Sequence, residues 1–423
     1  TLFPYTTLFR SGLHPSNLEG LIGVMDDLVA DGNSIILVDH DTQILRRSDW
    51  IVELGPKGGA EGGNIICEGT VEDLEGRRTS MIGPFLKGGN PDLRERTPKE
   101  KLFDIGSIHM RTSQIHTVKP LDVRIPKGRF TAVTGMSGSG KTTMVLDSLI
   151  PALEASINGK ELPPHVESVD HDGIAHVKLI DATPIGINIR STVATYANVH
   201  DELRKVFAKT PAAKEKDVKA GDLSYNTGSL RCPLCDGTGS ISLDVQFLPD
   251  VDIPCPDCNG SRYCSDAFKI TREKNDGTVQ SLPELMELSV DEALKACDDL
   301  KIVKNRLQML HDVGLGYLRS EERRVGKLAS DMGRGQDDTI FVFDEPTIGL
   351  HPLDVQLLMG IFQHLIDSGA TVLVIEHDLD IIRSADYVID LGPKGGDEGG
   401  RIVVAGTPDD VRDCKESATG RFL

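Results

Sequence analysis

Three sets of residues in this chain have types and spacings that could do chemistry. The first is Gly135-Met136-Ser137-Gly138-Ser139-Gly140-Lys141-Thr142, a full Gly-x4-Gly-Lys-Thr phosphate loop. In such a loop the backbone N–H groups of Ser137, Gly138, Ser139, Gly140 and Lys141 can cradle the phosphates of a nucleotide. The start of the following helix, where Thr142 and Thr143 lie, adds its dipole. Lys141 would neutralise β- and γ-phosphate oxygens, and the Thr142 hydroxyl would ligate Mg²⁺. The second set is Asp344-Glu345 at the end of the apolar run Ile340–Phe343, with His377 after a second apolar run. Asp344 is expected to hold Mg²⁺ through water and Glu345 to polarise the attacking water, with His377 touching the γ-phosphate or that water. An Asp-Glu pair at a strand end is also an ordinary structural feature; the upstream phosphate loop favours the catalytic reading.

The third set is four cysteines lying between the two halves of that nucleotide site. Cys232-Pro-Leu-Cys235 is followed, after nineteen residues, by Cys255-Pro-Asp-Cys258. Two Cys-x-x-Cys knuckles suffice for one tetrahedral Zn²⁺ with a closed, structural ligand set. Reduced, unligated thiols are the alternative. Arg231, Arg262, Lys269 and Arg272 flank these knuckles and are candidates for phosphate contact or simply a solvated face.

The elements that must position these groups follow from the apolar pattern. Residues 129–134 read as a buried strand running into the glycine loop, and 142–153 as the helix after it, which is the context a phosphate loop requires. Residues 198–220 read as an exposed helix and connector, and 284–310 carries helical spacing of Leu, Met and Ala. From Ile340 the pattern is strand, helix, strand. Residues 88–101 are rich in Gly, Pro and charge and read as a linker.

An internal repeat organises the rest. Gly12-Leu-His-Pro15 recurs as Gly349-Leu-His-Pro352, Ile36-Leu-Val-Asp39-His40-Asp41 as Leu373-Val-Ile-Glu376-His377-Asp378, and Leu54-Gly-Pro-Lys-Gly-Gly59 as Leu391-Gly-Pro-Lys-Gly-Gly396, always 337 residues apart. The second copy carries the Asp-Glu-Pro-Thr strand just before it, whereas the first does not.

Two segments break this pattern. Residues 1–11 stand where the repeat demands a hydrophobic strand ending in Asp-Glu-Pro, and 319–327 read Arg-Ser-Glu-Glu-Arg-Arg-Val-Gly-Lys. One oligonucleotide, resembling a sequencing adapter, encodes the first segment, and its reverse complement in frame encodes the second. Both segments are therefore expected to be foreign to the gene.

Composition bounds the reading further. At 423 residues the chain can hold two or three domains, and 39% hydrophobic with 26% charged residues is ordinary for a globular protein. A net charge of −19 excludes a generally basic nucleic-acid coat, so any DNA contact needs a local basic strip. No run has the length of a membrane span and no leader is apparent, so the expectation is a cytoplasmic protein without a membrane partner.

In this order, the phosphate loop, the inserted four-cysteine module, Asp344-Glu-Pro-Thr-Ile-Gly-Leu-His-Pro352 and His377 resemble the UvrA family, the damage-sensing ATP-binding-cassette ATPases of nucleotide-excision repair. Phe247-Leu-Pro-Asp-Val251, Asp312-Val-Gly-Leu-Gly-Tyr317 and Leu391-Gly-Pro-Lys-Gly-Gly396 carry the resemblance further. It implies an α/β fold with an ABC-type P-loop NTPase core. The C-terminal part of a first cassette would span 12–87, joined through a linker (88–100) to a nearly whole second cassette at 101–200 and 328–423. A helical, signature-type and zinc-binding insertion would occupy 201–318, its zinc module at about 221–265. ATP, Mg²⁺ and Zn²⁺ would be bound, and double-stranded DNA, a UvrB-type helicase subunit and a second copy of the intact protein would be partners.

Three departures qualify what is implied. The signature Leu-Ser-Gly-Gly-Glu is absent, 319–327 standing in its place. Ala182 replaces the glutamine expected after Asp181, and Asp39 replaces the usual Glu before His40. With one phosphate loop and no signature, the chain is expected to bind ATP–Mg²⁺ but to hydrolyse it poorly alone. Ala182 admits a second reading, a UvrA-like paralogue protecting against DNA-binding drugs. A transport ATPase is disfavoured by the inserted cysteine module.

Overall fold

The computed structural model describes residues 14–56, 63–87, 94–180, 192–243, 251–274, 276–312, 316, 336–348 and 350–423. Residues 1–11, 319–327, the 88–93 part of the linker, Ala182, Phe247–Asp250 and most of 312–317 therefore lie outside the described residues. The chain divides into two compact units, one of residues 1–181 with 335–423 and one of residues 182–334.

The first unit is built on a six-stranded sheet. Its order is Arg401–Gly406, Tyr387–Gly392, Phe130–Gly135, Thr371–Ile375, Thr339–Asp344 and His176–Ile180. The pairing is parallel throughout except between the first two. Central parallel strands are covered on both faces and so read as unbroken apolar runs. Phe130–Gly135, Thr371–Ile375 and Tyr387–Gly392 are buried at every position. An antiparallel sheet of Leu121–Pro126, Ser107–Thr112 and Val166–Asp170 packs into the same core. Its strand Leu121–Pro126 alternates instead, with Leu121, Val123 and Ile125 inward and Asp122 and Arg124 outward.

The phosphate loop leads into a π-helical stretch, Thr143–Leu149, that continues as the α-helix Ile150–Ile157. The expected linker is already tied down at its far end. Arg94 is buried and paired with Asp386 at 3.0 Å, and its guanidinium also donates to Gln363 and to the Ser384 carbonyl.

The first repeat copy contributes the helix Pro15–Ala30 and the hairpin Ile51–Gly55 with Asn64–Gly69. A small core of Ile51, Cys67, Leu74, Ile82, Phe85 and Leu86 lies below the hairpin, with Leu353 of the second copy packed against it. The two copies then diverge. Leu373 and Ile375 sit in the middle of the large sheet, 0% and 1% exposed, while their repeat equivalents Ile36 and Val38 are 95% and 92% exposed. Residues 33–41 form no strand. The equivalent of Thr371–Ile375 has no neighbouring strand to bond among the described residues of the first copy.

The second unit combines short helices with the cysteine module. The helix Val199–Phe207 is amphipathic rather than simply exposed, burying His200, Leu203 and Phe207. The helical pattern of 284–310 resolves into three helices, Leu282–Glu287, Val290–Ala296 and Lys301–Asp312. Ser281 and Ser289 each close a capping box, which starts a new helix where periodicity alone suggested continuity.

Candidate nucleotide and metal sites

The carboxyl ends of the parallel strands deliver the predicted nucleotide residues to one edge of the large sheet, where α/β sheets place their ligands. Gly135 ends one strand and opens the phosphate loop; Asp344 ends another; Glu376 and His377 follow a third. The loop depends on glycine at Gly135, Gly138 and Gly140, all in the left-handed region at φ +133°, +75° and +100°. A Cβ at Gly135 would lie 2.0 Å from the Leu391 carbonyl. Ser137 and Gly138 are exposed, Ser139 is buried, and Thr142 is exposed at the helix start with half-buried Thr143 behind it.

Lys141 is buried and donates from Nζ to the carbonyls of Gly135 at 2.9 Å and Met136 at 3.1 Å. Burial lowers its pKa to about 8, against the opposing pull of Glu345, Asp390 and Asp344. The Ser139 hydroxyl is buried without a hydrogen-bond partner. A lysine and an orphaned hydroxyl at a glycine loop suit a phosphate ligand.

Glu345 is half-buried at φ +47° and donates its backbone N–H to Ile375 at 3.0 Å. Its Oε1 lies 3.7 Å from Nε2 of His377. Burial, with Asp344 and Glu376 close by, pushes the Glu345 carboxyl above its ordinary pKa, the shift a general base needs. The His377 ring is buried and held neutral far below the ordinary histidine pKa by burial, then by Lys141 and His14. Its Nδ1 has no hydrogen-bond partner. Glu345 and His377 therefore form a carboxylate–imidazole pair able to address one water. Asp344, beside them, is partly exposed at the strand end.

Sequence reasoning assigned no role to several residues that shape this site. Gly396 N–H donates to Gly138 and Gly400 N–H to Ser139, bracing the phosphate loop from outside. A Cβ at Gly395 would lie 2.4 Å from the Ser137 carbonyl. The repeat of Leu-Gly-Pro-Lys-Gly-Gly was the signal that could have found them. His14 and Thr419 were also missed: His14 Nε2 lies 3.1 Å from the Thr419 hydroxyl, which reaches buried Asp390 at 3.2 Å.

In the second unit the four predicted thiols converge. The sulfurs of Cys232, Cys235, Cys255 and Cys258 all lie within 4.8 Å of one another, with Cys232–Cys255 at 3.8 Å and Cys235–Cys258 at 3.6 Å. Thiolates about 2.3 Å from a tetrahedral zinc stand about 3.8 Å apart, whereas a disulfide requires about 2.05 Å. The arrangement therefore fits Zn²⁺ and excludes disulfides among these four. Gly239 N–H points at the Cys235 sulfur at 3.3 Å, and Gly237, Gly239 and Gly260 take positive φ at the knuckles. Arg262 and Arg272 depart from expectation. Arg272 is buried against Asp299, Gln280 and the Ala296 carbonyl, and Arg262 is buried over the Tyr225 ring, so neither guanidinium is available to phosphate. Arg231 is paired with Asp236 and exposed Lys269 with Asp266.

No protein-family model matches the chain. Over 97% of its length the chain is 40% identical to the UvrABC system protein A of Thermus thermophilus and 38% identical to that of Bacillus subtilis. It spans 44% of each of those relatives, less than half their length. Among solved structures, UvrA2 from Deinococcus radiodurans superposes with a TM-score of 0.84 at 36% identity, over 97% of this chain and 50% of that one. No helix among the described residues is long and apolar enough to cross a membrane.

Proposed function

For a chain that belongs to the UvrA family over the span it shares with those relatives, we propose a DNA-binding, nucleotide-binding role in nucleotide-excision repair. In this reading Gly135, Ser137, Gly138, Ser139, Gly140, Lys141, Thr142 and Thr143 hold ATP, Asp344 and Thr142 serve its Mg²⁺, and Glu345 with His377 serves the attacking water. The observation that carries it is the approach of Glu345 to His377, 3.7 Å, at the strand ends beside Lys141. The four thiols hold a structural zinc. Distorted or damaged duplex DNA is the substrate, a UvrB-type helicase subunit receives it, and the intact protein acts as a homodimer.

Hydrolysis by this chain alone is slow, because it carries one phosphate loop and no Leu-Ser-Gly-Gly-Glu sequence. Two measurements test the reading. ATP affinity of the purified chain is expected to fall at least about tenfold in Lys141→Ala, about 1.4 kcal/mol. Steady turnover at ordinary ATPase rates, abolished by the same substitution, would count against slow hydrolysis. Binding of damaged against undamaged duplex over a salt series, with and without UvrB, tests the repair role.

A second reading rests on Ala182 in place of the expected glutamine. It makes the chain part of a UvrA-like factor that protects against DNA-bound drugs without excision partners. Equal affinity for both duplexes and no UvrB complex would favour it.

A further inference from the structure

Glu376 has no part in the water-activating pair, yet its carboxylate is buried and held on both oxygens. Its side chain is 2% exposed and accepts four hydrogen bonds. Oε1 accepts from the Thr347 backbone N–H at 2.9 Å and from the Thr347 hydroxyl at 2.5 Å. Oε2 accepts from the N–H groups of His377 at 2.7 Å and Asp378 at 3.1 Å. All four partners donate, so an ionised carboxylate satisfies the pocket, while an amide would turn a donor toward donors.

The two oxygens join two different turns. Oε1 holds Asp344-Glu345-Pro346-Thr347, which follows the strand Thr339–Asp344; Oε2 holds the turn that carries His377 after Thr371–Ile375. These strands are parallel neighbours, with Asp344 opposite Ile375. Beyond the bonds from Glu345 N–H to the Ile375 carbonyl and from Glu376 N–H to the Val133 carbonyl, both 3.0 Å, strand pairing no longer fixes the chain. Glu345 sits at φ +47°, a conformation that persists only where the surroundings over-determine it. The His377 ring has no hydrogen-bond anchor through Nδ1, so its placement rests on its backbone and on packing, with His14 edge-on to it.

We propose that Glu376 is a positioning residue whose carboxylate clasps the two turns and thereby sets the separation of Glu345 and His377. This rests on the hydrolytic reading of that pair. The first repeat copy shows that the clasp has separable halves. Asp39, one methylene shorter at the equivalent position, accepts from the N–H groups of His40 at 2.7 Å and Asp41 at 3.0 Å. An aspartate thus makes the histidine-side bonds without the reach that Glu376 uses for Thr347.

The test compares Glu376→Gln, Glu376→Asp and Thr347→Val in the full chain by two readouts. With the chain in excess over ATP, the first two are expected to slow hydrolysis at least tenfold with ATP affinity held within twofold. Thr347→Val should do so less. In ¹⁵N-histidine-labelled protein, the His377 ring signals, identified by their loss in His377→Gln, are expected to move in Glu376→Gln while those of His200, which belongs to the other compact unit, stay fixed. In Glu376→Asp they should move less, since the histidine-side bonds survive. Unmoved His377 signals in Glu376→Gln would overturn the clasp, as would rate losses matched by equal losses of ATP affinity. If the unaltered chain hydrolyses ATP no faster than Lys141→Ala, the hydrolytic reading fails, and the His377 signals still decide the clasp.

Discussion

The imidazole of His14 stands edge-on to that of His377, with ring centroids 5.6 Å apart and planes at 85°. His40 and His351 make the reciprocal contact at 5.8 Å and 73°. His14 and His351 are repeat equivalents, as are His40 and His377. Each copy thus sets the histidine of its Gly-Leu-His-Pro motif against the histidine that follows the other copy's Asp or Glu. The first copy is therefore part of the wall behind the candidate nucleotide site.

His14 is fully buried, accepts from Ser16 N–H at 3.2 Å through Nδ1, and meets the Thr419 hydroxyl through Nε2. Replacing it with alanine removes a helix cap and leaves a buried hydroxyl short of a partner. The expected cost is about 1–3 kcal/mol, read by urea unfolding of the full chain. A change below about 0.5 kcal/mol would make the contact incidental.

The same histidine gives a pH dependence of known sign. Burial, and secondarily Lys141, lowers its pKa from 6.5 to about 4, so the folded state favours neutral imidazole. Its contribution is complete above pH 6.5 and is lost as pH falls toward 4, by up to about 1.4 kcal/mol per pH unit. Asp378 opposes this. Burial and Glu376 raise its pKa from 3.8 to about 7, so its contribution is present below 3.8 and lost as pH rises through 7. The whole-chain profile mixes these two with other shifted groups, His377 and Glu345 among them, but the stability difference between the unaltered chain and His14→Gln singles out the histidine. That difference should shrink steadily from pH 6.5 to 4; a flat difference would contradict a buried neutral His14.

The cysteine site predicts one zinc per chain, measured by atomic absorption after dialysis. Cys235→Ser or Cys258→Ser should lower that stoichiometry sharply, since each removes one of four ligands. Chelation should unfold the surroundings of Tyr225 and Tyr263, both fully buried beside the knuckles, with loss of near-ultraviolet dichroism. Affinity for ATP should be retained, because Lys141 and Glu345 belong to the other compact unit. Loss of ATP binding on zinc removal would contradict independent units.

Much of this was legible in the sequence because the chemistry sits at fixed spacing. The glycine loop, Asp344-Glu345 and the two knuckles each need their residues at set offsets, and the large sheet's strands are buried on both faces, so they read as apolar runs. What escaped was set by contacts between distant segments. Arg272 reads as a surface cation until Asp299 and Gln280 close over it. Glu376 reads as a neighbour of His377 until Thr347, from another strand's end, meets its carboxylate. Ile36 repeats the position of Leu373, yet residues 33–41 form no strand, because a strand requires a ladder partner and local sequence does not supply one.

That last difference gives a sharp comparison. Leu373 is fully buried between the strands Phe130–Gly135 and Thr339–Asp344, whereas its repeat equivalent Ile36 is 95% exposed. Leu54, Trp50 and Val24 are likewise exposed at 66%, 58% and 56%, against 1%, 9% and 2% for Leu391, Tyr387 and Ile361. A buried charge without a partner costs several kcal/mol, while an exposed apolar-to-charged change usually stays within about 0.5 kcal/mol. Leu373→Asp is therefore expected to abolish folding or cost more than about 4 kcal/mol, and Ile36→Asp to leave the unfolding midpoint nearly unchanged. Because an exposed apolar patch promotes self-association, Ile36→Asp and Val38→Asp together should also reduce binding of a hydrophobic dye and raise solubility. Equal destabilisation by Leu373→Asp and Ile36→Asp would mean that Ile36 is buried in solution as Leu373 is.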